Sequence, residues 1–215
     1  FGELLQESQP DGTRTTWSRA ACTTGCDSRA RLRVTQHDRD SAGVARVITH
    51  ADIDQHGRAF RLAMQQPGGG TSVMTADADT DGRILREYLP FWEGGQPPGY
   101  WQFTYDPFGR LTGAALHSAT GSVERSQALR HDGFTVTQTD ALGHTTARTR
   151  TAWGSSAEAV DAAGNSTRFE YDAFGNLVKT RDFQGTEPVV TYDVRGLRRS
   201  LNDPDAGRWT YDYFP

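Results

Sequence analysis

Glycine recurs along the second half of the chain at nearly constant intervals. Successive glycines are 10 to 12 residues apart. They are Gly109, Gly121, Gly133, Gly143, Gly154, Gly164, Gly175, Gly185, Gly196 and Gly207. About seven residues then remain between turns, which is a usual length for a strand and short for a helix. The spacing therefore predicts consecutive antiparallel strands joined by tight turns, with little or no helix.

A seven-residue phrase surrounds three of these glycines. The copies are Tyr105-Asp106-Pro107-Phe108-Gly109-Arg110-Leu111, Tyr171-Asp172-Ala173-Phe174-Gly175-Asn176-Leu177 and Tyr192-Asp193-Val194-Arg195-Gly196-Leu197-Arg198. An aspartate can cap a turn with its own carboxylate, and a glycine can adopt the positive φ that the turn needs. Each copy therefore predicts one hairpin corner.

Shorter copies without the tyrosine extend the pattern. They are Asp54-Gln55-His56-Gly57-Arg58, Asp79-Thr80-Asp81-Gly82-Arg83, Asp140-Ala141-Leu142-Gly143-His144 and Asp161-Ala162-Ala163-Gly164-Asn165. One such match means nothing by itself, but seven copies in register indicate a repeat. The predicted structural repeat positions are Tyr105, Asp106, Gly109, Asp140, Gly143, Asp161, Gly164, Tyr171, Asp172, Gly175, Tyr192, Asp193 and Gly196.

The phrase Tyr-Asp-x-x-Gly-x-Leu resembles the YD repeat of the RHS (rearrangement hotspot) family. That family includes bacterial toxin-complex subunits, polymorphic toxins and the animal teneurins. The full spacing of the repeat is seen between Tyr171 and Tyr192, which are 21 residues apart, and the resemblance covers nearly all of the chain. Two departures concern strand register: Arg198 replaces the final leucine, and four of the seven copies lack the tyrosine.

The resemblance implies a fold and a role. The expected fold is all-β, with about sixteen to eighteen consecutive antiparallel strands in a curved single-layer ribbon that forms part of an RHS-type β-shell. The expected role is a non-catalytic segment of a hollow shell that encapsulates a C-terminal toxin domain and helps to deliver it. The implied partners are flanking YD repeats of the parent polypeptide, the enclosed toxin domain, and secretion-apparatus or toxin-complex subunits. The implied location is secreted from a bacterium or at its surface.

A different class of function stays open beside this one. The chain could be an extracellular adhesion module that binds carbohydrate or protein. Trp92, Tyr100 and Trp101 would then be its contacts, because aromatic rings stack on sugars and anchor interfaces.

The composition argues against two further classes of partner. A net charge of −4 and a pI near 5.9 lack the basic surplus of a nucleic-acid-binding domain. No apolar run approaches the roughly 18 residues of a membrane span. We therefore expect neither a nucleic-acid partner nor a membrane span.

Both ends of the chain fall within a repeat. Phe1-Gly2-Glu3-Leu4 aligns with the second half of the phrase, and Tyr211-Asp212-Tyr213-Phe214 with its first half, where Pro215 follows. We expect one continuous repeat array over residues 1–215 of a longer protein. Its strands should be spaced more widely over 1–95 and tightly, at 10 to 12 residues, over 109–215.

Few residues remain as candidates for chemistry. Cys22 and Cys26 flank Gly25 and leave three alternatives open: packed free thiols, a small disulfide loop, or metal ligation, for which a lone pair supplies too few ligands. The histidines have no partner at metal-ligand spacing, and turn capping already explains the aspartates. We therefore expect no catalytic residues, no metal and no cofactor.

Aromatic residues alternate along several predicted strands. Trp101, Phe103 and Tyr105 share one face by period two, as do Phe169 and Tyr171. If successive strands align these positions, the rings should form a ladder across the sheet. Two further strands are predicted at residues 31–35 and 44–50, joined as a hairpin.

Overall fold

The computed structural model describes residues 5–23, 26–66 and 68–214. The repeat expected at Phe1 to Leu4, the turn at Gly25 and the end at Pro215 lie outside the described residues. Within the described ranges there are nineteen strands and no helical residue, so no helix there could cross a membrane. The predicted all-β fold of consecutive antiparallel hairpins is confirmed.

Residues 1–126 form one compact unit. Its strands are β1 (Gln6–Ser8), β2 (Arg14–Ala21), β3 (Leu32–Arg39), β4 (Ala45–Ile53), β5 (Ala59–Gln65), β6 (Thr71–Ala78), β7 (Ile84–Tyr88), β8 (Phe91–Trp92), β9 (Gly99–Tyr105) and β10 (Leu111–Ser118). From β1 to β6 each strand is antiparallel to the next. The predicted strands at 31–35 and 44–50 overlap β3 and β4, which pair as the expected hairpin.

At β8 the strand pairing departs from the order of the chain. Both β7 and β8 pair with β6, while β7 also pairs with β9, and β9 with β10. Pro90 separates β7 from β8, and a proline has no N–H to donate to a ladder. The very short β1 and β8 bring the number of strands to nineteen, above the expected sixteen to eighteen.

Residues 127–215 form the second compact unit. The strands here are β11 (Val123–Asp132), which contains the boundary, β12 (Thr135–Asp140), β13 (Thr145–Arg150), β14 (Ser156–Val160), β15 (Ser166–Tyr171), β16 (Leu177–Arg181), β17 (Val189–Tyr192), β18 (Arg198–Asp203) and β19 (Gly207–Thr210). Every strand is antiparallel to the next. Alternate turns of such a meander lie at the same edge of the sheet.

The buried apolar side chains of the described residues are few. They are Ala30, Phe60, Ala63, Val73 and Ala114, all in the first unit. A single sheet buries surface only where something covers a face. The second unit is therefore held mainly by its hydrogen-bonded ladders and by side-chain pairs between neighbouring strands.

A bulge follows many of the turns. Tyr105 pairs with Leu111, but Thr104 pairs with Gly113, so Thr112 is the extra residue in the register of the two strands. A bulge of the same kind lies between β15 and β16. Tyr171 pairs with Leu177 and Glu170 with Lys179, so Val178 is the extra residue. Bulges bend a strand and increase its local twist. These bulges were not predicted from the sequence.

The predicted aromatic ladder is wrong for the strands that were named. Trp101 pairs with Leu116 and Phe103 with Ala114, while Phe169 pairs with Thr180. The reason is that the strand register places small, aliphatic or polar residues opposite these rings.

A shorter ring stack forms one position away from the predicted ladder. Tyr100 lies 5.8 Å from Tyr88 and 4.8 Å from the stacked imidazole of His117, between ring centroids. These three rings come from β7, β9 and β10. The ring contacts therefore involve Tyr100 rather than its neighbour Trp101.

Candidate functional site

The turn at Asp172 shows how one repeat corner is built. Asp172 Oδ1 accepts hydrogen bonds from the backbone N–H groups of Phe174 and Asn176, both at 2.9 Å. Gly175 N–H donates to the carbonyl oxygen of Asp172 at 3.1 Å, and Asp172 N–H donates to that of Asn176 at 3.0 Å. Gly175 has a φ of 86°. The corner is thus a three-residue loop that ends on a left-handed glycine.

Eight aspartates of the described residues build this corner. In each, Oδ1 accepts from the N–H groups two and four residues later, at 2.8 to 3.0 Å. They are Asp54, Asp79, Asp106, Asp140, Asp161, Asp172, Asp182 and Asp193. Their glycines, which include Gly109, Gly143, Gly164, Gly175 and Gly196, have φ values of 79° to 90°.

Two of the Asp-x-x-Gly corners were missed by the sequence analysis. Asp182 makes both carboxylate bonds, to Gln184 and Thr186. Asp40 Oδ1 accepts from Val44 N–H at 2.8 Å, and Gly43 has a φ of 81°. The same spacing is present in the sequence at both places and could have identified them.

The second carboxylate oxygen usually has a partner four residues on. Asp54, Asp79 and Asp106 each accept from the Nε of an arginine, at 2.7 to 2.9 Å. In the second unit, Asn165 and Asn176 donate from Nδ2 at 2.9 Å, to Asp161 and Asp172. At these five corners the residue after the glycine therefore returns a side-chain donor to the aspartate.

These bonds favour the charged carboxylates. The side-chain donation from Asn176, together with N–H donations, lowers the pKa of Asp172 below its usual range. The backbone N–H of Leu197 has the largest effect in lowering the pKa of Asp193. For Asp106, burial raises the pKa, but the N–H and guanidinium of Arg110 outweigh it and the net shift is downward.

The tyrosine of the phrase links one corner to an earlier one. Tyr105 Oη donates to the carbonyl oxygen of Ile84, and Tyr192 Oη to that of Leu177, both at 2.9 Å. Ile84 and Leu177 both lie five residues after a corner aspartate, where the phrase has its final aliphatic residue. The hydroxyl therefore bridges two corners that are two turns apart in the chain. Within the described residues, Tyr171 makes no such bond.

A sequence comparison identifies part of this pattern. Residues 157–187 match the profile of a family described as RHS Repeat, and this segment contains the corners of Asp161, Asp172 and Asp182. The chain carries an RHS repeat. The resemblance expected from the Tyr-Asp-x-x-Gly-x-Leu phrase is thereby confirmed. No curated protein matches the chain.

Two solved structures share the fold of the RHS-repeat chain. One is a crystal structure of TcdB2-TccC3 without its hypervariable C-terminal region, with a TM-score of 0.54 and 15% identity over 85% of this chain. The other is a crystal structure of TcdB2-TccC3-Cdc42, with a TM-score of 0.51 and 15% identity over 91% of this chain. The chain spans only 12% and 11% of those two solved chains.

Between the corners of the first unit lies a buried ionic cluster. Asp52 is fully buried and accepts hydrogen bonds from Arg33 Nε at 2.6 Å and Arg33 Nη2 at 2.9 Å. Arg61 Nη1 approaches the same carboxylate at 3.3 Å. Burial raises the pKa of Asp52, but the two arginines outweigh it and the net shift is downward. No sequence pattern predicted this cluster, because its members come from three strands.

The two cysteines form a disulfide, with their Cα atoms 6.0 Å apart. Of the alternatives left open by the sequence, free thiols are therefore wrong. The two sulfurs and the Asp52 carboxylate lie within 4.8 Å of one another, but disulfide sulfurs lack the thiolate charge with which cysteine ligates metals. The disulfide closes the connection between β2 and β3.

The aromatic residues considered for an adhesive surface are placed differently from one another. Trp92 is 60% exposed, whereas Tyr100 and Trp101 are half-buried within the sheet. The most exposed aromatic side chains at corners are instead Phe108, Trp153 and Phe174, at 84%, 93% and 90%. They occupy the position before the corner glycine.

The first unit also contains a cleft of about 490 Å³ beside the disulfide-closed connection. Arg29 and Arg31 line it from that connection, and Asp54, His56 and Arg58 line it from the next corner. Arg29 lies 4.4 Å from the centroid of the Phe60 ring. No sequence pattern predicted this cleft, because its lining residues come from separate segments of the chain.

Proposed function

We propose that the chain is a non-catalytic segment of the wall of an RHS-type shell that encloses a C-terminal toxin domain and helps to deliver it. The observation that carries the proposal is the corner built identically at eight aspartates, three of them inside the RHS Repeat match. The two TcdB2-TccC3 structures support the same fold. Flanking repeats and toxin-complex subunits are the proposed partners.

The use of the carboxylates supports a structural role. General acid–base or nucleophilic chemistry needs a carboxylate that is free to take or give a proton. At the corners, each carboxylate is occupied by N–H donors, and the pKa of residues such as Asp161 is lowered, first by the side chain of Asn165. The aspartates thus keep their charge and fix turns.

The disulfide supports export. Disulfides persist in oxidising environments such as the bacterial periplasm and the cell exterior. The Cys22–Cys26 bridge therefore favours a secreted or surface-exposed protein.

A cryo-electron microscopy map of the full-length protein that contains this chain tests the proposal. The expected result is density for the strands of both units in the wall of a cavity, with further polypeptide inside it. Proteolysis of the intact particle should leave that inner polypeptide uncut, while proteolysis after acid or urea opening should digest it.

The adhesion alternative predicts a different map. The strands would then face solvent on both sides of an open sheet, and a ligand would lie against Trp92, the only one of the three named aromatics that is exposed. Such a map, with no enclosed polypeptide, would overturn the shell proposal.

A further inference from the structure

The disulfide of the first unit lies against the buried ionic cluster. The sulfur atoms of Cys22 and Cys26 and a carboxylate oxygen of Asp52 all lie within 4.8 Å of one another. Asp52 is fully buried, and a side chain on a sheet is buried only where something covers that face. The disulfide is therefore part of what separates this carboxylate from water.

The backbone ties the same region to strand β4. Arg31 N–H donates a hydrogen bond to the carbonyl oxygen of Ile53, 2.8 Å away, and Ile53 follows Asp52 in β4. Cys22 N–H donates to the carbonyl oxygen of Arg31 at 3.0 Å. The disulfide and these two backbone bonds therefore hold residues 26–31 against the cluster together.

The side-chain contacts of residues 26–31 are partly exposed. Arg29 forms ion pairs with Asp27 at 3.2 Å and Asp77 at 2.9 Å, and these three side chains are 30% to 45% exposed. Such surface pairs contribute little to stability. Ala30 is buried, but its methyl group covers little apolar area. We therefore expect the segment to be held weakly once the disulfide is gone.

Opening this region would hydrate charged groups. The carboxylate beside the sulfurs accepts hydrogen bonds from Arg33, and Arg61 forms an ion pair with it. Charged groups lose hydration when they are buried, and they regain it when water returns. Once the covalent link is broken, hydration of the cluster therefore favours the open state.

The disulfide is accessible to a small thiol and closes a short loop. Cys22 and Cys26 are half-buried, and the neighbours Ala21 and Thr23 are exposed. The two cysteines are four residues apart in the sequence. A cross-link over a short loop removes less entropy from the unfolded chain than one over a long loop. Less folding free energy therefore opposes the reduction of this disulfide.

We propose that the Cys22–Cys26 disulfide is a redox switch, whose reduction by a thiol detaches residues 26–31 from the Asp52 cluster and loosens the first unit. The thiolate of a small thiol such as glutathione attacks one sulfur, the S–S bond breaks, and the other protein sulfur leaves as a thiolate that takes up a proton. A second thiol attacks the mixed disulfide and releases the remaining protein sulfur in the same way. The protein disulfide thus gains two electrons and two protons, and the two thiols become one disulfide.

The switch goes beyond the proposed shell role and does not depend on it, because it requires neither an enclosed toxin nor a neighbouring subunit. The disulfide would stay closed in oxidising surroundings, where disulfides persist, and would open in a compartment that thiols keep reducing.

Amide hydrogen exchange of the full-length protein tests the switch in two glutathione buffers. One has the redox poise of a cytosol, and the other has the more oxidising poise of a secretory compartment. Mass spectrometry should show reduced cysteines in the cytosolic buffer, and Arg31 N–H should exchange about tenfold faster there or more. The N–H of Asn176, which is bonded within a corner of the second unit, should exchange alike in both. Return to the oxidising buffer should restore slow exchange at Arg31.

Two variants assign the effect to this disulfide. The double variant Cys22→Ser, Cys26→Ser should exchange Arg31 N–H rapidly in both buffers, whatever other cysteines the full-length protein contains. Thr23→Ser is the matched control, because it changes an exposed residue beside Cys22 and keeps the disulfide. It should respond to glutathione as the unchanged protein does.

An intact disulfide in the cytosolic buffer would overturn the proposal. So would a reduced disulfide with unchanged exchange at Arg31, equally faster exchange at Asn176, or no recovery after reoxidation. An Arg31 N–H that still responds to glutathione in the double variant would assign the effect to another group and would also overturn it. The buffer comparison uses the unchanged protein, so it decides the question even if the double variant does not fold.

Discussion

The hydroxyl of Tyr192 donates a hydrogen bond to the carbonyl oxygen of Leu177, 2.9 Å away. The two residues belong to successive copies of the same phrase, and Tyr105 bonds Ile84 in the same way. The tyrosine of a YD repeat therefore has a specific structural task here. At Tyr105 and Tyr192 it ties a corner to an earlier corner at the same edge of the sheet.

Removing this hydroxyl should loosen the corner it reaches. We expect Tyr192→Phe to lower the free energy of local opening near Leu177 by about 0.5–1.5 kcal/mol, the net value of one such hydrogen bond. Amide hydrogen exchange at residues 174–177 measures it. Tyr171→Phe is the matched control, because the described residues give Tyr171 no such bond, and it should change exchange less. Equal effects of the two changes would show that the hydroxyl bond is not what holds the corner.

The corners could be predicted from sequence because they are local. An Asp-x-x-Gly unit contains its own acceptor, donors and left-handed glycine, so Asp172 and Gly175 determine the turn without help from distant residues. The corners at Asp40 and Asp182 have the same Asp-x-x-Gly spacing, so they could have been predicted in the same way.

The remaining features depend on contacts between distant residues. The partner of Phe169 is set by the register between β15 and β16, and the Asp52–Arg33–Arg61 cluster is assembled from three strands. The disulfide was left open because cysteine spacing alone cannot separate the alternatives. Arg31 becomes part of a cleft only when its connection meets the next corner.

A side chain at Gly175 should be costly for backbone reasons alone. Its φ is 86°, and a Cβ there would meet no atom within 4 Å. We expect Gly175→Val to destabilise the protein by about 1–3 kcal/mol, since a β-branched residue is strained at this φ. Thr146→Val, at an exposed position of β13, is the control and should change stability little. Urea melts measure both, and indistinguishable midpoints would contradict a tight-turn role for Gly175.

The corner carboxylates should make stability fall in acid. The pKa of Asp172 is lowered from 3.8 in the folded state, chiefly by the side chain of Asn176. The charged carboxylate of Asp172 therefore contributes fully to the stability of the folded protein above the pKa that it has in the unfolded chain, near 3.8. This stability is lost as the pH falls through the lower pKa of the folded state. Asp172→Asn should make stability less dependent on pH below about 5. Asp132→Asn, at an exposed carboxylate, is the comparison.

Urea melts at neutral pH and near pH 3 measure this dependence. The difference in unfolding free energy between the two pH values should be smaller for Asp172→Asn than for the unchanged protein. If Asp172→Asn and Asp132→Asn reduce the pH dependence equally, the N–H bonds of the corner are not the cause.

The largest single loss should come from Asp52. Its side chain is fully buried and faces Arg33 and Arg61, whose side chains are only 21% and 13% exposed. Asp52→Ala would leave the partly desolvated guanidinium of Arg33 without its carboxylate, and Arg61 would keep only its ion pair with Glu93. Breaking a buried ion pair in this way typically costs about 3–5 kcal/mol.

Asp132→Ala is the matched control for Asp52→Ala. Asp132 and its partner Arg130 are 78% and 81% exposed and 3.6 Å apart, and such surface pairs contribute at most about 1 kcal/mol. Urea melts at neutral pH should therefore give a much lower midpoint for Asp52→Ala than for Asp132→Ala. Asp52→Asn should lie between them, because it keeps one acceptor oxygen for Arg33 but removes the charge. Similar midpoints for Asp52→Ala and Asp132→Ala would show that the first unit does not depend on its buried cluster.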